Sequence, residues 1–279
     1  MRRIAELFAE PTKKLVPFIT AGFPSLDSTV ELVLAAEQAG ADMVEIGMPF
    51  SDPLADGPVI QEASQIALDN GITVKTIIRQ VEAVRKKSSV PLVLMGYINP
   101  IMRYGLDQFL SDVESAGVDG LILPDLPPEE GFDIYKKVKS HSLSPILLVA
   151  PNTFEPRIRW IGTMAEDLMY AVSILGVTGS TISANTKLKE YLGQIRENTD
   201  TPFVVGFGIS SKEDVAAVAP LADGVVVGSA LLKKIKSADD PVATTREFIE
   251  ELKEGLLDKK GIKVSGRKIP ESRSSTGSE

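Results

Sequence analysis

The chain contains no cysteine. Disulfides, thiolate metal sites and cysteine nucleophiles are therefore excluded. It contains one histidine, His141. A multi-histidine zinc centre is ruled out, and a serine–histidine triad nearly so. His141 lies in the polar stretch Lys139-Ser-His141-Ser142, which reads as the end of a helix, so a surface position is expected. Basic residues are outnumbered, 30 against 38 acidic, for a formal charge of −8. That balance disfavours a nucleic-acid partner and offers no basic face for a membrane. No apolar run approaches bilayer length, and the charged N-terminus lacks a signal-peptide core and reads as a short amphipathic helix. A cytoplasmic protein with a small-molecule substrate is expected.

What is present is a set of short apolar runs, at residues 15–20, 43–46, 91–95, 120–123, 145–149, 168–173, 203–207 and 224–228. Most are continuously apolar rather than alternating, the mark of parallel strands covered on both faces. Amphipathic helical stretches separate them, for example at 26–38, 74–87, 106–116, 129–139 and 211–218. Several strands share a lead-in: Ala39-Gly40-Ala41-Asp42, Ala116-Gly117-Val118-Asp119 and Leu221-Ala222-Asp223. Each reads as a helix stop followed by a turn into a strand. Eight βα repeats in about 250 residues are the count of a single (β/α)8 TIM barrel. The 279 residues would also allow two small domains, but a doubly wound sheet would want a Gly-x-Gly-x-x-Gly turn, and none occurs. The expected organisation is a catalytic barrel over residues 1–257 after a short N-terminal helix, with a basic, then serine-rich tail at 258–279 that reads as disordered.

In such a barrel, functional groups sit at the C-terminal strand ends and in the loops that follow. The second run ends near Glu45. Its loop is stiffened by Pro49, Pro53 and Pro58 and carries Asp52 and Asp56. A strand-end acid faced by acids on a rigid loop is one way to hold proton-transfer groups. The loop after the sixth run, from Gly176 to Thr186, is small, polar and glycine-containing, the composition of a lid. The seventh and eighth runs end in Gly206-Phe-Gly208 and Gly228-Ser229, where bare backbone N–H groups beside helix N-termini could cradle a phosphate. Phe18, Met95, Tyr97, Ile122, Leu148, Tyr170 and Phe207 are candidate walls for a flat aromatic group, or simply barrel filling. No lysine falls within the eight runs, which disfavours a Schiff-base aldolase. No nicotinamide or flavin fingerprint is present. Metal-free carboxylate chemistry on a phosphorylated substrate remains, with neither metal nor cofactor expected.

The run Glu45-Ile-Gly-Met-Pro-Phe-Ser-Asp-Pro-Leu-Ala-Asp-Gly-Pro58 closely resembles the signature of the tryptophan synthase α subunits. Further matches occur in order over roughly residues 1–255: Pro17-Phe18-Ile-Thr-Ala-Gly22, Tyr97-Ile-Asn99-Pro100, Asp125-Leu-Pro127, Ala150-Pro-Asn152, Gly176-Val-Thr-Gly179, Gly206-Phe-Gly-Ile-Ser210 and Gly228-Ser229. The resemblance implies retro-aldol cleavage of indole-3-glycerol phosphate to indole and glyceraldehyde 3-phosphate, in tryptophan biosynthesis. It implies that Glu45 is the acid–base group and Asp56 the second catalytic carboxylate, holding the indole N–H. Phe18, Tyr97, Ile122, Leu148, Tyr170 and Phe207 would form the indole pocket, with Tyr170 near the glutamate. Thr178 would be the lid threonine, and Gly179, Gly208, Gly228 and Ser229 the phosphate site. Asp52, Pro53, Asn99 and Pro127 would meet a pyridoxal-phosphate β subunit in an αββα complex.

The chain departs from the family in two places. Ser173-Ile174-Leu175 stands where the family often has an arginine before the lid. Pro124 stands where a small residue is common. The alternatives are a free-standing lyase that releases indole, an allosteric subunit that binds a phosphorylated ligand with little activity alone, and another phosphosugar barrel.

Overall fold

The computed structural model describes residues 2–172, 186–206 and 208–257. In chain order the elements are α1 (Arg3–Ala9), β1 (Lys14–Thr20), α2 (Ser28–Gln38), β2 (Val44–Gly47), α3 (Pro58–Asp69), α4 (Val74–Arg85), β3 (Leu92–Met95), α5 (Ile98–Tyr104), α6 (Leu106–Ala116), β4 (Gly120–Ile122), α7 (Phe132–Ser140), β5 (Ser144–Pro145), β6 (Leu147–Val149), α8 (Glu155–Ala165), β7 (Met169–Val172), α9 (Thr186–Asn198), β8 (Phe203–Gly206), α10 (Lys212–Val218), β9 (Gly224–Val227), α11 (Ser229–Lys236) and α12 (Pro241–Glu254).

Every strand pair is parallel, and the sheet order is β5-β4-β3-β2-β1-β9-β8-β7-β6. The two edge strands, β5 and β6, are separated only by Ile146. They are halves of one stave: β5 pairs with β4, and β6 pairs with β7. Among the described residues nine strands thus make the eight staves of a nearly closed TIM barrel, as the eight apolar runs predict. The run at 145–149, expected as one strand, is split at Ile146, whose N–H still donates to the Leu121 carbonyl at 2.9 Å.

The continuous apolar pattern follows from closure. All seven residues of β1 are buried, because one face meets the lumen and the other the helices. Each helix supplies one apolar stripe. On α4 the buried residues include Ile77, Val81 and Val84, each worth about 1.5–3 kcal/mol of transfer free energy. Lys14 corrects an expectation, since it does lie within a strand, β1, and is 1% exposed. It stands at the N-terminal end of that strand, where its ammonium donates to Thr12 Oγ1 at 2.6 Å and to Glu10 at 3.2 Å. It faces the end of the barrel opposite the expected site and supplies no Schiff-base lysine there.

The three lead-in aspartates hold that N-terminal end together. Asp42, Asp119 and Asp223 precede β2, β4 and β9. Each accepts a backbone N–H from the adjacent strand: Leu15 at 2.8 Å, Leu92 at 2.8 Å and Phe203 at 3.0 Å. Each also pairs with a cation: Asp42 with Lys253, Asp119 with Arg3 and Arg85, and Asp223 with Arg196. Among the described residues no helix is long and apolar enough to cross a membrane. The expected tail lies outside the described residues. His141 caps the C-terminus of α7, partly exposed, with Nδ1 2.8 Å from Glu114.

Candidate active site

Glu45 sits mid-strand in β2 and is 1% exposed. Strand alternation turns it into the lumen, among Val16, Met43, Val93, Ile122, Tyr170 and Val226. Its Oε1 has no hydrogen-bond partner among the described residues. Burial pushes its pKa up to about 8, and the nearby charge of Asp56 adds to the rise. Tyr170, on β7, has its hydroxyl pushed well above the usual range, by burial first and then by Glu45. Its hydroxyl has room because Gly206, two residues beyond its register partner Val204 on β8, carries no side chain: a Cβ there would collide with the Tyr170 hydroxyl.

Asp56 occupies the loop between β2 and α3. Burial raises its pKa, and a hydrogen bond from the Tyr97 hydroxyl draws it back. The same hydroxyl accepts the Ala55 N–H at 3.0 Å, and Gln61 of α3 donates to the Asp56 carbonyl at 2.9 Å. Tyr97 precedes α5, whose first N–H, from Ile98, donates to the carboxylate of Asp125 at 3.1 Å and 3.2 Å. The loops after β2, β3 and β4 are thus laced together around Asp56. Asp56 shares a crevice with Phe18, Met48, Ile60, Ser64, Met95, Tyr97 and Pro124.

Two groupings emerge. Glu45, Ile122 and Tyr170 meet in the lumen; Asp56, Phe18 and Tyr97 meet in the crevice at the mouth. Leu148 is half-buried on β6 and lines neither. Pro124 does line the crevice, so the departure at that position bears on the pocket itself. Sequence reasoning missed Met48, Ile60 and Ser64. The signal was available for two of them: Ile60 and Ser64 are four apart on α3, the spacing that puts them on one helix face behind the Asp56 loop.

On the other side of the mouth, Gly208 has φ +60°, a conformation that glycine adopts freely. Ser229 opens α11, whose N-cap, Gly228, provides no side-chain cap. The neighbouring α10 differs. There Asp214 accepts from the N–H groups of Ser210 and Ser211 and completes a capping box with Ser211. Of these two N-termini, that of α11 has no side-chain acceptor and leaves its N–H groups open to an outside anion. Phe207, Thr178 and Gly179, and the departure at 173–175, lie outside the described residues. Asp52, Asn99 and Pro127 are exposed and Pro53 partly so.

An eight-stave barrel whose C-terminal mouth gathers a buried carboxyl, a second carboxylate and an uncapped helix N-terminus belongs to the class of (β/α)8-barrel enzymes. The sequence narrows this to one family. Residues 4–259 match the tryptophan synthase alpha chain family. The alpha chain of Petrotoga mobilis is 43% identical over 249 residues, 89% of this chain and 96% of that protein. That of Geotalea uraniireducens is 44% identical over 262 residues, 92% and 98% of the two chains. The crystal structure of the alpha subunit from Legionella pneumophila superposes with a TM-score of 0.85 at 38% identity, covering 91% of this chain and 98% of that one. A chain of the tryptophan synthase complex from Pyrococcus furiosus gives 0.81 at 34% identity, covering 87% and 98%. The chain belongs to the tryptophan synthase alpha chain family, the lyases that cleave indole-3-glycerol phosphate in tryptophan biosynthesis.

Proposed function

We propose that this chain cleaves indole-3-glycerol phosphate by carboxylate acid–base chemistry without a metal ion, with Glu45 and Asp56 as the working groups. The observation that carries this reading is Glu45 itself: a carboxyl 1% exposed, facing the barrel lumen, with one oxygen that has no partner among the described residues. An acid that remains protonated near neutrality suits proton donation. Glu45 protonates indole C3, and the ring nitrogen takes up the positive charge. Asp56 stabilises that charge and holds the indole N–H. The ionised Glu45 then accepts the proton of the hydroxyl beside the breaking bond. The C3–carbon bond breaks, its electrons return to the ring, and indole and an aldehyde result. Glu45 ends protonated, as it began.

In this reading Phe18, Tyr97, Ile122, Leu148, Tyr170 and Phe207 surround the ring. Gly179, Gly208, Gly228 and Ser229 bind the phosphate, and Thr178 closes over it. Asp52, Pro53, Asn99 and Pro127 meet a pyridoxal-phosphate β subunit in an αββα assembly, in the cytoplasm. The rim supports a partner. Among the described residues the exposed large apolar side chains include Leu54, Met102, Phe132 and Phe154. They follow β2, β3, β4 and β6, one continuous sector of the mouth. The solved Pyrococcus furiosus relative is itself a tryptophan synthase complex. The test incubates the purified chain with indole-3-glycerol phosphate, with and without its β subunit, and measures indole. Indole release that rises on complex formation is expected. High release with no complex would favour a free-standing lyase, and no release in either case would overturn the reaction.

A further inference from the structure

Among the described residues three buried side-chain oxygens lack a hydrogen-bond partner: Thr20 Oγ1, Glu45 Oε1 and Gln80 Oε1. Buried polar atoms are nearly always satisfied, so each exception needs a reason. Gln80 lies on α4, outside the barrel, where its amide nitrogen donates to the Leu26 carbonyl. Thr20 and Glu45 lie on neighbouring strands. In the register of β1 and β2, Phe18 is opposite Glu45 and Thr20 is opposite Gly47. Thr20 is therefore one pleat nearer the mouth than Glu45, and it is 1% exposed.

Parity fixes its direction. Val16 lines the lumen and Phe18 the mouth crevice. Side chains two apart on a strand share a face, so Thr20 faces the mouth as well. The sheet order places β1 between β2, which carries Glu45, and β9, which leads into Gly228 and Ser229. A ligand with its phosphate at the N-terminus of α11 and its ring between Glu45 and Asp56 must cross the end of β1. The part of indole-3-glycerol phosphate that makes this crossing is the hydroxylated glycerol chain.

We infer that the Thr20 hydroxyl hydrogen-bonds the glycerol chain of the substrate and turns the reacting hydroxyl toward Glu45. The inference rests on the reading of the site given above and adds a residue to it. Thr20 is a substrate-positioning residue, and its unpaired hydroxyl is the counterpart of a hydroxyl the substrate brings. Burying it without a partner is a cost the resting protein carries.

The test is Thr20→Val, which replaces the hydroxyl with a methyl of similar shape, beside Thr20→Ser, which keeps a hydroxyl. Two ligands are compared: indole-3-glycerol phosphate, by kcat and KM for indole release, and indole-3-propanol phosphate, by its inhibition constant. The second has the ring and the phosphate but no chain hydroxyls. Thr20→Val should lower kcat/KM by about five- to tenfold, the worth of one hydrogen bond. It should leave the inhibition constant of the propanol phosphate unchanged, and Thr20→Ser should recover most of the loss. The melting temperature of Thr20→Val should equal or exceed that of the wild type, because an unsatisfied group has been removed. Equal weakening of both ligands, no change in kcat/KM, or a lowered melting temperature would overturn the inference while leaving the reaction intact. A wild-type chain that neither turns over the first ligand nor binds the second would overturn the reading of the site, and the role of Thr20 with it.

Discussion

The two ends of this barrel treat their carboxylates in opposite ways. At the N-terminal end, Asp42, Asp119 and Asp223 each accept a backbone N–H and each pair with a cation. Asp167 joins them, accepting from Arg2 at 2.6 Å and from the Ser144 hydroxyl at 2.5 Å. At the mouth, Glu45 has an oxygen with no described partner and the charge of Asp56 for a neighbour. A saturated carboxylate holds strands in register and has no capacity left for chemistry. An unsaturated one destabilises its surroundings and is free to exchange a proton with a ligand. The contrast divides the molecule into a base that supplies stability and a mouth that spends some of it on reactivity. It predicts that substitutions at the two ends separate cleanly into losses of activity and losses of stability.

The largest effect is expected at the mouth. Glu45→Gln keeps the shape of the side chain but cannot carry a proton. Indole release should fall by at least about 10²–10⁴-fold, the usual worth of a general acid–base group, because the proposed mechanism uses this one group in two steps. The circular dichroism spectrum should be unchanged. A variant within a few-fold of wild type would end the division at its most important point.

The opposite end should answer with the opposite loss. Asp119 is 7% exposed and bonds Leu92 N, Arg3 and Arg85 at 2.8–2.9 Å. Asp119→Ala removes the carboxylate that pairs with two guanidiniums and accepts a strand N–H. Breaking a buried, hydrogen-bonded ion pair costs about 3–5 kcal/mol, which denaturant unfolding would register. The fraction that remains folded should retain near wild-type turnover. A large drop in turnover per folded molecule would show that the base reaches the chemistry after all.

Protonation sharpens the comparison further. Glu45 titrates near 8 when folded, against an ordinary value of 4.5. Between those values the folded chain holds a proton that the unfolded chain has lost. Stability from this group is therefore fully present below about 4.5, falls as pH rises and levels off above about 8. Glu45→Gln removes the dependence. The inactive variant should melt above wild type at pH 9, by about 2–4 °C for each kcal/mol recovered. The gap should close toward pH 5. A constant gap across that range would mean that burial of Glu45 has no thermodynamic consequence, and the mouth would lose its distinguishing feature. The same ionisation should give kcat/KM an alkaline limb near pH 8.

How much of this was legible in the sequence differs between the two ends. The barrel was visible because closure buries both faces of every strand, which the apolar runs record directly. Glu45 and Asp56 were visible because a proline-stiffened loop carrying acids is locally unusual. The aspartates of the base were seen only as part of helix stops. Their role depends on partners distant in the chain, such as Leu15 and Lys253 for Asp42, and no local pattern encodes that pairing. A charged residue ends an apolar run, so the pattern alone puts Lys14 outside its strand, yet its ammonium is held by Thr12 and Glu10. Ile60 and Ser64 were hidden for another reason. Their helix crosses behind the site, so their relevance depends on packing between elements rather than on their own surroundings.

The smallest expected effect repeats the comparison on a single pair of helix N-termini. At α10, Asp214 takes up the N–H groups of Ser210 and Ser211, and that end is closed by the protein itself. At α11, Gly228 provides no side-chain cap and Ser229 stands first in the helix, and the proposed phosphate site uses that end. Asp214→Ala should therefore lower stability by about 1 kcal/mol, as loss of a cap does, with binding of a phosphorylated ligand little changed. Ser229→Ala should do the reverse. It removes one hydrogen bond to the phosphate, worth about 1 kcal/mol or roughly a fivefold weaker inhibition constant for indole-3-propanol phosphate. Its melting temperature should stay at the wild-type value. The backbone N–H groups of α11 survive the change, which is why the effect is small. A bulky residue at Gly208, where φ is +60°, should harm binding far more, because it strains the turn that brings the backbone to the ligand. If Ser229→Ala and the Gly208 variant bind equally well, the anion site is not at α11.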